Sequence, residues 1–286
     1  MLGPVPTLRG RPSQAAAAGQ ADPPAIAGLA FDLDGTVFLG ARLLPGAAAL
    51  IAALADAGVP YLFATNNSSA TGVGYVRRLS ALGLPVTRAA VLTSNDVTVG
   101  HLRESGLLRP YLVATREVRE EYRAAGLDPA TEDPDAVVLT FDTSLTYAKL
   151  RRAAGLIRAG LPYLATHPDL VCPTPTGPIP DCGAFAALLF EATGRRPLVL
   201  GKPERPMAAA IRARLGRAPE AIAFVGDRLY TDVRMANAHG FQAVLTLTGE
   251  TRVEDLGTSH DVPDLVVDDL GVLHTYLRAQ GTLGRG

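Results

Sequence analysis

Residues 26–36 read IAGLAFDLDGT, an unbroken apolar run that stops on Asp32, Leu33, Asp34, Gly35 and Thr36. An apolar run without alternation marks a strand covered on both faces, and such strands belong to parallel sheets. Four further runs have the same character: 60–64 (PYLFA), 198–200 (LVL), 222–225 (IAFV) and 241–247 (FQAVLTL). Helical patterns lie between them. In 206–216, Met207, Ile211 and Leu215 share one face, with charges on the other. The stretch from 229 stops at His239 and Gly240, a helix-ending pair. Strand and helix in alternation predict an α/β chain with a doubly wound parallel sheet.

The middle of the chain reads as a unit of its own. Strands are predicted at 110–114, 136–141 and 162–166, and helices at 116–125, 146–159 and 183–193. The expected organisation is therefore a Rossmann-like core (26–105 and 197–286) with an inserted α/β domain at 106–196. The first 25 residues, rich in Ala, Pro and Gly, are expected to be a disordered N-terminal tail. AGVPYLFATN (57–66) echoes AGLPYLATHP (159–168), as two helix–turn–strand units would.

Composition narrows the partners. The 286 residues carry 27 Lys plus Arg against 28 Asp plus Glu, a net charge of −1, so neither nucleic acid nor an anionic membrane is an expected partner. No run reaches the roughly 18 apolar residues of a membrane helix. Two cysteines, Cys172 and Cys182, are too few for a disulfide scaffold and suit a reducing, cytoplasmic setting.

What ends each predicted core strand carries the chemistry. The first ends in Asp32-Leu33-Asp34-Gly35-Thr36 and the second in Thr65-Asn66-Asn67-Ser68. The run at 198–200 ends in Gly201-Lys202-Pro203, and the run at 222–225 in Gly226-Asp227. Ligands of open α/β sheets bind outside the carboxyl ends of the strands. Carboxylates gathered there suit a hard cation such as Mg²⁺, and a lysine beside it makes the pocket anion-seeking, with phosphate the common anion that fits both.

FDLDGT (31–36), TNNS (65–68), GKP (201–203) and GDRLYTD (226–232) resemble the four motifs of the haloacid dehalogenase (HAD) superfamily. FDTSLTYAKL (141–150) and GAFAALLFEATGRRP (183–197) resemble its subfamily IIA, the 4-nitrophenyl and nucleotide phosphatase branch, whose α/β cap lies between the second and third motifs. The resemblance implies a Mg²⁺-dependent phosphatase of small phosphomonoesters (nucleotide monophosphate, sugar phosphate or phosphoglycolate type) working through an aspartyl phosphate. By the same resemblance Asp32 is the nucleophile and Asp34 the general acid and base. The metal ligands are Asp32, the Asp34 carbonyl and Asp227, while Asp232 orients metal-bound water or Lys202. Thr65, Asn66 and Lys202 hold the phosphoryl group. An acid at Asp34 also favours phosphate esters over halides, since a leaving alkoxide needs a proton and a halide does not. A non-catalytic phosphate-binding or regulatory protein on the same fold is the alternative. The expected partners are a small-molecule phosphomonoester and, among macromolecules, at most a second copy in a homodimer.

Two stretches depart from the family pattern. Related proteins commonly read T-N-x-D where this chain has Thr166-His167-Pro168-Asp169, and P-G-x-G-A where it has Pro180-Asp181-Cys182-Gly183-Ala184. A cap of this type chooses the leaving group, so His167, Asp181, Cys182 and Gly183 are the specificity candidates. Elsewhere, Gly72-Val73-Gly74 lacks the remainder of a dinucleotide fingerprint and reads as loop. The five histidines show no metal-ligand spacing, and Arg77 and Arg78 read as solvated charges on a helix face.

Overall fold

The computed structural model describes residues 25–284 except Pro175, so the expected tail lies, Ala25 apart, outside the described residues. In chain order the strands of the two principal sheets are β1 (Gly28–Phe31), β2 (Tyr61–Thr65), β3 (Val91–Thr93), β4 (Pro110–Val113), β5 (Ala136–Leu139), β6 (Tyr163–Ala165), β7 (Leu198–Val199), β8 (Ile222–Gly226), β9 (Gln242–Thr246) and β10 (Leu265–Val267). The helices are α1 (Ala47–Asp56), α2 (Gly72–Ala81), α3 (Ser94–Glu104), α4 (Arg116–Ala124), α5 (Tyr147–Arg158), α6 (Cys182–Thr193), α7 (Arg205–Leu215), α8 (Arg234–His239) and α9 (Leu270–Ala279). The α/β alternation is as the apolar runs predict.

A six-stranded sheet runs in the order β10-β9-β8-β1-β2-β3. β1 is parallel to both β8 and β2, with Phe31 opposite Val225 and Phe63. The chain leaves β1 toward one edge and returns through β8 on its other side, so the strand order reverses at β1. That reversal is where such sheets bind ligands. β1 and β8 are buried along their whole lengths, which is why their sequences are apolar without alternation.

The second sheet is four-stranded and parallel, in the order β7-β6-β5-β4. Val113, Val137, Leu139, Ala165, Ile157 and Leu189 form its buried core with α5 and α6. Here one expectation is corrected. The sequence predicts a core-sheet strand at 198–200, but Leu198 and Val199 pair with Leu164 and Ala165 of β6. A two-residue edge strand with Leu198 exposed lacks the double burial its apolar letters imply.

Among the described residues the chain divides into two compact units: those up to Ala64 with Arg78–Val91 and those from Ala208, and Thr65–Arg77 with Leu92–Met207. The second takes in more than 106–196 for a local reason. Asn66 hydrogen-bonds to Lys202 and to Asp169, and Ser68 to Thr166, so the loops after β2 and β7 belong with it. The Gly72 segment is also corrected: it opens α2 rather than forming a loop, and the N–H of Gly74 is satisfied by Thr71 Oγ1 at 3.0 Å.

Candidate active site

Asp32 and Asp227 leave neighbouring strands of the first unit at nearly the same level. Asp32 N–H still donates to Val225 O at 2.8 Å, continuing the ladder, and Asp227 follows the last residue of β8. After Asp227 the chain takes a π-helical turn over Leu229–Val233, a wide coil frequent at functional sites, and this turns Asp232 back. One carboxylate oxygen from each of Asp32, Asp227 and Asp232 lies within 4.8 Å of the others, and all three residues are buried. Three buried carboxylates at that spacing are a hard-oxygen donor set and fit a divalent cation. Asp232, expected to orient a water or Lys202, thus stands inside the ligand-type group.

The loop after Asp32 is shaped around Asp227. Leu33 O accepts from the N–H groups of Val37 and Phe38, closing a tight turn. Gly35 sits at φ 92°, and a Cβ there would stand 2.6 Å from Asp227 Oδ2. Only glycine meets both conditions. Thr36 Oγ1 donates to Asp227 Oδ1 at 3.2 Å, and Glu250 N–H donates to Asp227 Oδ2 at 2.7 Å. Thr248 Oγ1 donates to Gly35 O at 2.7 Å. The loop Thr248–Thr251 thus orients the Asp227 carboxylate from beyond β9, and sequence reading missed it. Its only signal is the polar TGET that follows an apolar strand.

Asp34, next along the turn, has its carboxylate 3.6 Å from Arg78 Nη2. The Arg78 guanidinium lies 4.0 Å from the Phe38 ring centroid and donates to Gly40 O at 3.1 Å. Arg78 is therefore corrected from a solvated charge to a side chain laid across the turn that carries Asp34. Arg77 is exposed, as expected.

In the second unit, Thr65, Asn66 and Lys202 are buried. Thr65 Oγ1 accepts from Asn67 N–H at 3.1 Å. The Asn66 side chain is engaged within the protein: Oδ1 accepts from Lys202 N–H at 2.8 Å, and Nδ2 donates to Lys202 O and the Asp169 carboxylate. Thr166, the echo of Thr65, bonds Ser68 Oγ at 2.8 Å and packs inside this unit.

All four specificity candidates are buried. Cys182 Sγ donates to Leu139 O at 3.4 Å, and burial pushes its thiol pKa up to about 12. A Cβ on Gly183 would stand 2.0 Å from Pro168 O, so glycine lets α6 close on the loop after β6. His167, Asp169 and Asp181 form a second group with ligand-type atoms within 4.8 Å of one another, a meeting that sequence spacing does not reveal. Neither Cys172 nor Cys182 is joined in a disulfide.

Comparison with known proteins agrees with these features. A profile described as haloacid dehalogenase-like hydrolase matches residues 29–128, and a HAD-hydrolase-like profile matches 199–273. The 5'-nucleotidase YutF of Bacillus subtilis is 31% identical over 244 residues, covering 85% of this chain and 95% of its own. The crystal structure of a 4-nitrophenylphosphatase from Thermotoga maritima superposes with a TM-score of 0.84 at 41% identity, over 87% of this chain and 97% of that one. A glycerol phosphate phosphatase from Mycobacterium tuberculosis, solved in complex with calcium, gives 0.79 at 34% identity, over 87% and 74%. The chain belongs to the haloacid dehalogenase superfamily, in the subfamily IIA branch. It is a phosphoric monoester hydrolase.

Proposed function

We propose that the protein is a Mg²⁺-dependent phosphatase of small phosphomonoesters that works through an aspartyl phosphate on Asp32. The observation that carries this reading is the buried group of Asp32, Asp227 and Asp232 at the switch point of the sheet. One Asp32 carboxylate oxygen attacks phosphorus, and the bond from phosphorus to the ester oxygen breaks. The leaving oxygen takes a proton from Asp34. In the second step a water loses its proton to Asp34 and attacks phosphorus, the bond to Asp32 breaks, and phosphate leaves. Magnesium held by Asp32, Asp227 and the Asp34 carbonyl would supply positive charge against the phosphoryl oxygens. Thr65 and Lys202 are the residues we assign to those oxygens on this chain, with Asp232 orienting the lysine or a water.

The assignment of residues 106–196 as a cap that selects the leaving group belongs to the same proposal. Among substrates, nucleotide monophosphates, sugar phosphates and phosphoglycolate-like esters are the classes to test, with 4-nitrophenyl phosphate as a generic ester. The relatives' names, a nucleotidase, a nitrophenylphosphatase and a glycerol phosphate phosphatase, support the range without choosing within it. Two cysteines not joined in a disulfide are in keeping with a cytoplasmic setting, and no helix among the described residues is long and apolar enough to cross a membrane. The test is phosphate release from a panel of such esters, with chelator and with Mg²⁺ restored. Activity should vanish and return. Full turnover after exhaustive chelation would remove the metal from the mechanism.

A further inference from the structure

Behind Lys202 the second unit holds a connected set of buried polar side chains. His167 is wholly buried, with Nδ1 3.5 Å from Asp169 Oδ2 and Nε2 3.5 Å from Asp181 Oδ1. Ser68 Oγ lies 3.1 Å from the same Nε2 and accepts from Phe141 N–H at 2.8 Å. Asp169 in turn accepts from Asn66 Nδ2 at 3.1 and 3.3 Å. Asn66 grips both sides of one backbone position, taking the Lys202 N–H at 2.8 Å and giving to the Lys202 carbonyl at 3.0 Å. An amide bonded this way holds a residue much as a neighbouring strand would. Gly201 completes the fit, because a Cβ there would stand 2.4 Å from Thr166 O and 2.6 Å from Asn66 Oδ1.

An imidazole between two buried carboxylates is an arrangement in which losing one partner leaves a buried polar group without its counterpart. Asp181 is anchored independently, as the N-cap of α6, through its bond from Cys182 N–H at 2.6 Å. His167 is anchored at the end of β6. The pair therefore ties a helix start to a strand end and sets the Asp169 carboxylate against Asn66. His167 and Asp181 also stand in the two stretches where the sequence departs from the family pattern, and the fold makes them neighbours.

We propose that His167 and Asp181 are a matched pair of positioning residues which, through Asp169 and Asn66, set the place of Lys202 rather than select the leaving group. The inference rests on the reading of Lys202 as a phosphoryl partner. A displaced lysine weakens every phosphate ester alike, whereas a lost specificity contact reorders them.

The test uses the full chain and the variants His167→Asn, Asp181→Gly, Asp181→Asn and the double His167→Asn/Asp181→Gly. Substrates are 4-nitrophenyl phosphate and a set of alkyl phosphates, with inorganic phosphate as competing probe, at a temperature where melting curves show each protein folded. His167→Asn and Asp181→Gly should each lose about 10–100-fold in kcat/KM, the scale for misplacing a binding group by about 1 Å. The factor should be the same for alkyl and aryl esters, and inhibition by phosphate should weaken with it. The double variant should return to within about threefold of the original, the sign of two coupled positions. Asp181→Asn keeps the helix cap and so supplies a folded protein that should show the same uniform loss. Unchanged kcat/KM in Asp181→Asn, a reordered substrate ranking, or a double variant as impaired as the product of the singles would each overturn the proposal. If the original chain releases no phosphate, the phosphatase reading fails by itself. The pair is then judged by melting temperatures, where additive effects of the two substitutions overturn it.

Discussion

Gly35→Ala perturbs the candidate site by one methyl group. The residue sits at φ 92°, where an L side chain costs about 1–2 kcal/mol. The added Cβ would also stand 2.6 Å from Asp227 Oδ2 and 2.8 Å from its Cγ. To restore ordinary contact the carboxylate must withdraw by roughly 0.5 Å or more. That exceeds the ~0.2 Å tolerance of a metal–ligand distance. Gly40 supplies the control, since its φ is 59° and nothing lies within 4 Å of a Cβ built there. Gly40→Ala pays for backbone strain alone. Both variants should therefore melt lower, at roughly 2–4 °C per kcal/mol for a chain near this size. Only Gly35→Ala should also weaken activation by Mg²⁺, by about 10–100-fold, as when the groups orienting metal ligands are disturbed. Melting curves and a Mg²⁺ titration of 4-nitrophenyl phosphate turnover read the two effects separately. Equal Mg²⁺ dependence in the two variants would refute the claim that Gly35 exists to seat Asp227.

Asp32→Asn removes the nucleophilic charge and should reduce turnover to background with every ester; multiple turnovers would exclude the covalent mechanism. Asp34→Asn removes a proton donor, so the loss should approach the upper part of the usual 10²–10⁴-fold range for basic alkyl leaving groups and be smaller for 4-nitrophenyl phosphate. Equal losses, with leaving-group release measured before the steady state, would contradict the acid role. For Cys182, burial raises the thiol pKa from 9.0 to about 12, so the unfolded chain releases a proton that the folded chain keeps. This contribution to stability is unchanged below about pH 9 and falls as pH rises toward 12. At pH 9.0 a thiol-alkylating reagent should modify Cys172 in the folded protein and reach Cys182 only on unfolding. Labelling of Cys182 at the rate of Cys172 would contradict its burial.

The parts of this protein legible in the sequence are those set within one element or turn. An apolar run such as 28–31 declares a doubly covered strand, and Asp-Leu-Asp-Gly-Thr declares the polar turn that ends it, because burial and turn chemistry act on adjacent residues. The motif aspartates are legible in the same way, and Asp32 and Asp227 leave adjacent strands. Tertiary structure decided what depends on the order of strands. Leu198 and Val199 carry the letters of a core strand, yet pair with β6, since hydrophobicity does not name a partner. Asp232 reaches the acidic group only through a π-helical turn, and Thr36 and Glu250 hold Asp227 only because β1, β8 and β9 lie side by side. Arg78 looks like any solvated helix charge until Phe38 and Asp34 are placed beneath it. His167 and Asp181 are separated by a two-stranded hairpin, and their meeting follows from how α6 closes on the end of β6. Periodicity reports which face of an element is buried; which residues share that burial is settled by packing.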